Sequence, residues 1–170
     1  MNIVLMGGNG YIGRAVTQEW LKRDPKAQFY VISKSGKNQI GSPRVHNVQA
    51  DCCDARAVEA VLPDRVDAIA TFVGGMGGRD VNVPPAQTML EIAQKRDIPV
   101  MGFIGGKLGD KDFTSSKAEA CELLRASGRP VAIVEPTLVY GAGRDDKLAK
   151  MVPLLTFCGL FNKNLKPVKV

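Results

Sequence analysis

One histidine, His46, and four cysteines with no Cys-x-x-Cys spacing are all that this 170-residue chain offers a transition metal. The cysteines stand at 52, 53, 121 and 158. This pattern argues against a zinc site and against a disulfide framework, and it fits a reducing, cytoplasmic setting. Cys52 and Cys53 read as small buried hydrophobes. Long apolar runs are lacking too. Those present are strand-sized and broken by Gly, Pro or charge, so no membrane span is expected. Met1 runs directly into an apolar stretch without a basic leader or small-residue cleavage site, which argues against a signal peptide. Aromatic residues make up 6% of the chain, and no cluster of them suggests a platform for stacking bases. The balance of 23 Lys and Arg against 17 Asp and Glu gives +6. That charge favours anionic partners such as phosphates, but it is too scattered to single out nucleic acid. No repeat, low-complexity tract or linker divides residues 1–170, so one domain is expected.

What is present is an alternation of short apolar runs and helical periodicity. Residues 2–6 (NIVLM), 28–33 (QFYVIS), 45–49, 66–73 (VDAIATFV), 98–104 and 131–135 read as strands. In 11–23, Ile12, Ala15, Val16 and Trp20 recur at helical spacing before Asp24-Pro25 ends the run. Asp54 can cap a short helix ending near Leu62-Pro63. Pro84-Pro85 opens a helix to about Arg96, and 114–127 forms another that Gly128 stops. Strands alternating with helices predict right-handed βαβ units and an α/β, doubly wound parallel sheet of the Rossmann type, in the order 3-2-1-4-5-6.

Gly7, Gly10 and Gly13 follow the first strand directly and open the first helix, which is the setting a dinucleotide fingerprint requires. The first glycine permits a tight turn and the second leaves room for a pyrophosphate. The third lets helix and strand pack closely, while free N–H groups and the helix dipole face the phosphates. The spacing is GxxGxxG rather than GxGxxG. At the end of the second strand, where a carboxylate would bond the ribose 2′-hydroxyl and select NAD, the chain reads Ser33-Lys34-Ser35-Gly36-Lys37. Two cations and hydroxyls suit a 2′-phosphate, so NADP is favoured over NAD. The competing reading of this stretch is a solvated polar loop.

Five segments, GGNGYIG at 7–13, ADCCD at 50–54, FVGG at 72–75, FTSSKAEACELLRASG at 113–128 and EPTLVYG at 135–141, occur in an order that spans nearly the whole chain. With them the sequence resembles the short-chain dehydrogenase/reductase superfamily in its extended and atypical branches, the NAD(P)-dependent epimerase/dehydratase-like proteins. The resemblance implies that Asn9, Gly10, Tyr11 and Ile12 line the pyrophosphate and that Asp51 and Cys52 flank the adenine. It implies that Val73, Gly74 and Gly75 run along the adenosine ribose toward the nicotinamide. Lys117 would hold the nicotinamide ribose hydroxyls, and Pro136 would pack beside the nicotinamide. No metal is implied.

The chain also departs from that family. A Tyr-x-x-x-Lys pair places both side chains on one helix face, where the ammonium lowers the phenol's pKa. Here the stretch reads Phe113-Thr114-Ser115-Ser116-Lys117, so Lys117 is the one member of the pair left as a catalytic candidate. The fifth strand ends Phe103-Ile104-Gly105-Gly106, without the family's Ser or Thr. Ser115, Ser116 and Lys107 stand nearby, and no motif singles any of them out. Residues 165–170 resemble the family's next strand, so the substrate-binding part is either minimal or truncated. Loops 74–83, 105–112 and 140–164 would have to form that pocket. Three functions remain open. One is an NADP-dependent oxidoreductase or epimerase-like enzyme without the usual tyrosine, acting on an unidentified small molecule such as a quinone or flavin. Another is a non-catalytic NADP sensor that binds a protein partner. The third is an RNA-binding Rossmann protein.

Overall fold

The structure is a computed structural model that describes residues 1–141, 152 and 167–169. Its elements begin with β1 (Asn2–Met6), α1 (Tyr11–Arg23), β2 (Gln28–Ser33), β3 (Val45–Gln49), α2 (Ala55–Glu59), β4 (Ala68–Thr71) and α3 (Arg79–Asn82). They continue with α4 (Pro84–Lys95), β5 (Met101–Ile104), α5 (Lys111–Ala126), β6 (Val131–Val134), β7 (Val139–Tyr140) and β8 (Val168–Lys169). Six strands form one parallel sheet in the order β3-β2-β1-β4-β5-β6, as the alternating pattern requires. β7 and β8 pair parallel as a separate ribbon.

Alternation along β1 explains the layers. Val4 and Met6 face a core shared with Val58 of α2, Met89 and Ile92 of α4, and Leu124 of α5. Ile3 and Leu5 face the opposite side, with Phe29, Val31 and Val45, where Trp20 and Leu21 of α1 pack. Fully buried side chains such as Phe29, Leu5 and Met89 each contribute roughly 1.5–3 kcal/mol of transfer free energy. In α1 the buried positions are Gly13 and Thr17, with Ile12, Ala15, Val16 and Trp20 half-buried around them.

Local chemistry sets the ends. Lys22 and Arg23 sit in the last turn of α1, where cations meet the negative end of the helix dipole. The Asp24 carboxylate then accepts from the N–H groups of Lys26 and Ala27, turning the chain into β2. Asp54 caps α2 by accepting from the Arg56 and Ala57 N–H groups. α5 starts at Lys111 rather than 114, because Asp110 is its cap and accepts the Phe113 N–H at 2.8 Å. β5 starts at Met101 rather than 98. Asp97 adopts φ 48°, and the Ile98 N–H returns to Ala93 O at 2.9 Å, so Ile98 still belongs to the end of α4. β4 covers only Ala68–Thr71, the stretch that meets β1 and β5. The four-residue helix α3 was not anticipated. Among the described residues, no helix is long and apolar enough to cross a membrane. Cys158 and most of loop 140–164 lie outside the described residues, and of 165–170 only 167–169 lie within them.

Candidate functional site at the carboxyl edge of the sheet

Strand order reverses between β1 and β4, and at that point a cleft of about 700 Å³ opens beyond the carboxyl ends of the strands. Its floor is the turn from β1 to α1. Gly7 holds φ 75°, and a Cβ there would lie 2.9 Å from Val73 Cγ2. Gly10 caps α1 in an extended conformation without any side-chain hydrogen bond, so the first turn of the helix opens on the cleft. Gly13 is buried under the turn, where a Cβ would collide with the Gly7 carbonyl. The three glycines therefore do three separate jobs: a left-handed turn, an open floor and a close helix-strand contact.

One wall is the segment after β2. Ser33, Lys34, Ser35, Lys37 and Asn38 all line the cleft. The loop is braced from several sides. The Arg14 guanidinium donates to Asn38 O and Gln39 O, Gln49 Nε2 donates to Lys34 O at 3.0 Å, and the Asn47 amide pairs with both backbone groups of Ile40. Its side chains stay in water all the same: Lys34, Ser35, Lys37, Asn38 and Gln39 are exposed. Lys34 is not a bare cation: its Nζ lies 2.7 Å from Asp51 Oδ2. The Lys34 hydrogen bond, joined by the Cys53 N–H, holds the Asp51 carboxyl below its usual range, and Asp51 in turn raises Lys34. Next to this pair, Cys52 is buried, and desolvation pushes its thiol up to about 12. Cys53 corrects the sequence reading. It is exposed and lines the cleft, because Cys52 takes the inward position in the turn after β3.

Behind Val73 and Gly74 at the opposite end lies Lys117, only 3% exposed, whose Nζ donates to Ile104 O at 3.1 Å and Val73 O at 3.4 Å. Burial pulls its ammonium down from 10.5 to about 8. Gly74, at φ 150°, passes so close that a Cβ there would lie 2.5 Å from both Lys117 Nζ and Asn82 Oδ1. Buried Asn82 is the clamp of this corner. Its Oδ1 accepts the Gly75 N–H at 3.0 Å, and its Nδ2 donates to Gly75 O, Gly78 O and Ser116 Oγ at 2.8–3.0 Å. The Phe113 ring lies one helical turn before Lys117, over Gly106 and Gly109.

Of the residues singled out from sequence, the structure gathers Gly7, Asn9, Gly10, Tyr11, Ile12, Ser33, Lys34, Ser35, Lys37, Asp51, Cys52, Val73 and Gly74 into the one cleft. Gly13, Gly75, Lys117 and Pro136 do not line it: Gly13 packs beneath, Gly75 is held by Asn82, and Pro136 O accepts the Lys107 N–H. The Asn9 side chain, expected beside a pyrophosphate, is turned toward Ser33 at the end of β2 and Asn47 in the middle of β3. Ser116 is buried on Asn82, Ser115 bonds back to Asp112 O, and Lys107 is exposed. Sequence reasoning missed Asn38, Cys53, Phe72, Asp80 and Val81 as lining residues, and Asn47 and Asn82 as braces. Phe72 was within reach, since it is the first residue of the FVGG segment.

A family model described as the NAD dependent epimerase/dehydratase family matches residues 3–97, more than half of the chain. No curated protein matches the sequence. Among solved structures, the chain is similar to a dTDP-glucose 4,6-dehydratase from Bacillus anthracis in complex with NAD. The identity is 20% and the TM-score 0.77, over 96% of this chain and 64% of that one. It is also similar to a dTDP-glucose 4,6-dehydratase double mutant from Streptomyces venezuelae with NAD bound (19%, TM-score 0.75, 96% and 65%). A third is a UDP-glucose 4-epimerase from Thermotoga maritima (13%, TM-score 0.74, 89% and 62%). The chain spans less than two thirds of the length of each, and at these identities the likeness is one of fold. The matched stretch runs from β1 past the end of α4 and contains the glycine turn, the braced loop and Asp51; the chain belongs to the NAD dependent epimerase/dehydratase family.

Proposed function

We propose that this chain binds a nicotinamide dinucleotide along the carboxyl edge of its sheet, prefers the 2′-phosphorylated form, and is an NADP(H)-dependent oxidoreductase or epimerase-like enzyme that works without the usual tyrosine. The observation that carries the proposal is the continuity of one cleft from the uncapped start of α1 to the cations at 34 and 37. The residues fit the group. A Cβ on exposed Gly10 would lie a tight 3.1 Å from Gly7 O and meet no other neighbouring atom within 4 Å, and the first-turn N–H groups favour an anion. Lys37 supplies positive charge at the far wall beside the Lys34–Asp51 ion pair, with Ser33 and Ser35 as hydroxyl partners. A bound nicotinamide ring supplies hydride exchange. Toward that end of the site the chain contributes an ammonium, Lys117, fixed by backbone carbonyls and shielded from water.

The test is calorimetry with NADP+ and NAD+ on the unmodified chain and on Gly10→Val. NADP+ is expected to bind more tightly than NAD+, and the branched side chain to weaken both by at least ~10-fold without loss of fold. Unchanged affinity in folded Gly10→Val would remove the glycine turn from the site. Equal affinities for the two cofactors would remove the 2′-phosphate preference.

A second reading, a cofactor-sensing regulator with no turnover, is favoured by Phe113, which has no proton to give, beside a Lys117 whose ammonium is occupied by backbone carbonyls. Assaying NADPH oxidation with quinones, flavins and aldehydes separates the two. Turnover with any of them supports the enzyme; tight binding without turnover supports the regulator.

A further inference from the structure

The two edges of the sheet are built differently. β3 closes one edge with His46, Asn47 and Gln49, polar side chains that discourage further pairing. β6 closes the other with Val131-Ala132-Ile133-Val134, which carries no charge and no proline. Val131 and Ile133 pack against the core that α5 covers. Ala132 and Val134 take the alternate face and are exposed, Val134 to 58%. Pairing with β5 fixes which backbone groups of β6 are used. Pro130 O accepts the Met101 N–H at 3.1 Å and Val134 O accepts the Gly105 N–H at 2.8 Å, so Pro130, Ala132 and Val134 turn their backbone toward β5. The N–H and C=O groups of Val131, Ile133 and Glu135 therefore point away from the sheet, and among the described residues nothing pairs with them.

We propose that a second copy of this chain pairs with this edge, β6 against β6, antiparallel about a twofold axis through Ile133. The surface lies outside the cleft and is independent of what the cleft binds. In this register Ile133 faces Ile133 of the second copy and Val131 faces its Glu135, so every outward backbone group is bonded. Exposed Val134 then lies beside Ala132 of the second copy, a larger side chain against a smaller one, and the axis repeats the contact. Arg129 precedes the strand and Glu135 follows it. An antiparallel copy sets these unlike charges near each other at both ends, where a parallel partner would set like against like. A twofold contact of this kind is closed, so pairing stops at two copies. So short an edge buries less than the roughly 1,200 Å² of a stable interface, and the dimer is accordingly weak, with a Kd on the order of 10⁻⁵–10⁻⁴ M.

Sedimentation equilibrium from about 1 to about 500 µM is expected to show a reversible monomer–dimer equilibrium in the unmodified chain. Val134→Lys alters a side chain already in water, so the fold should be kept. It should weaken the dimer at least ~10-fold by setting an ammonium against Ala132 of the second copy. Cross-linking reads the register. On a Cys53→Ser, Cys158→Ser background at about 500 µM, an Ala132→Cys chain is mixed with a Val134→Cys chain under mild oxidation. Facing residues of a non-hydrogen-bonded pair have Cα atoms about 4.5 Å apart, so the mixture should form disulfide dimers at least ~5-fold more than either chain alone. A chain that stays monomeric at about 500 µM overturns the proposal. So does a dimer that Val134→Lys leaves intact, because another surface then holds it. Equal cross-linking by single and mixed chains rules out the register. Hydrogen exchange distinguishes a cover supplied by the chain itself. The Val131, Ile133 and Glu135 amides should exchange fast at about 1 µM and more slowly at about 500 µM. Protection that does not change with concentration would mean that the chain covers its own edge, and the second copy would have to be given up.

Discussion

A side chain at position 106 and the ring at 113 compete for the same space. The Cβ that Gly106 lacks would lie 2.7 Å from Phe113 Cε1 and Cζ, and one on Gly109 would lie 2.5 Å from Cδ1. The ring at 113 therefore packs against both glycines and leaves no room for a side chain at either. Lys117 Cγ also lies 3.9 Å from that Gly106 position, so ring and ammonium stem flank the same glycine. Phe113→Tyr should place a phenol beside a buried ammonium, the arrangement that lowers a phenol's pKa. In steady-state NADPH oxidation the unmodified chain should reduce simple aldehydes and ketones poorly. The variant should gain measurable rate, by well under ~10⁴-fold because no β5 hydroxyl assists it. Strong carbonyl reduction by the unmodified chain would mean that another group donates the proton. Lys117 itself makes a prediction about pH. Its folded pKa of about 8 lies below the ordinary 10.5. Between those values the unfolded chain holds a proton that the folded one has released, so stability rises with pH across that window. Lys117→Met should flatten this rise, worth up to roughly 3 kcal/mol, in urea denaturation series run from pH 7.5 to 10.5. An unchanged slope would show that the ammonium is not strained by burial.

At the scale of elements, the corner between β4 and α4 depends on one amide. Asn82 satisfies both backbone groups of Gly75 and the Gly78 carbonyl, and it reaches α5 through Ser116. Asn82→Ala strands those groups in a buried corner. It should cost about 2–4 kcal/mol by chemical denaturation, with a wild-type m-value. A loss below ~0.5 kcal/mol would mean that water replaces the amide. The same corner shows what sequence reasoning can reach. β1, α1, β2 and β3 were legible to the residue because each is a local pattern closed by a local signal, such as the glycine turn or Asp24-Pro25. α3 was not. Its four residues have no period, and they stand because Asn82 ties Gly75 and Gly78 together and because α4 and α5 pack against them. The cleft floor was legible for the same reason as β1, while the amide chain from Asn9 to Asn47 to Ile40 joins residues separated by 38 and 7 positions and has no sequence signature. The Lys34–Asp51 pair escaped for a related reason. Reading the β2 end by itself finds no carboxylate, yet one arrives from the turn after β3.

For the molecule as a whole, a ligand that bridges the glycine turn and the braced loop joins segments held by separate strands, and it should raise global stability. At a free concentration of about 100 times Kd, the folded state gains about 2.7 kcal/mol. For a chain of this size that is a rise of roughly 5–10 °C in the thermal midpoint, larger with NADP+ than with NAD+ at equal concentration. Scanning calorimetry that finds no rise with either would count against binding.

β1 lies in the middle of its sheet, and that position sets a schedule for the chain's birth. Its two neighbours come from residues 28–32 and 68–71. The Val73 side chain that Gly7 packs against arrives 66 residues after the glycine (73 − 7). At ~5–20 residues per second, a ribosome needs roughly 3–13 s to cover that distance. For most of that interval the edge of β1 that β4 will cover is unpaired and open to pairing with another chain. Any factor that shields the nascent β1 edge should act before Val73 is made.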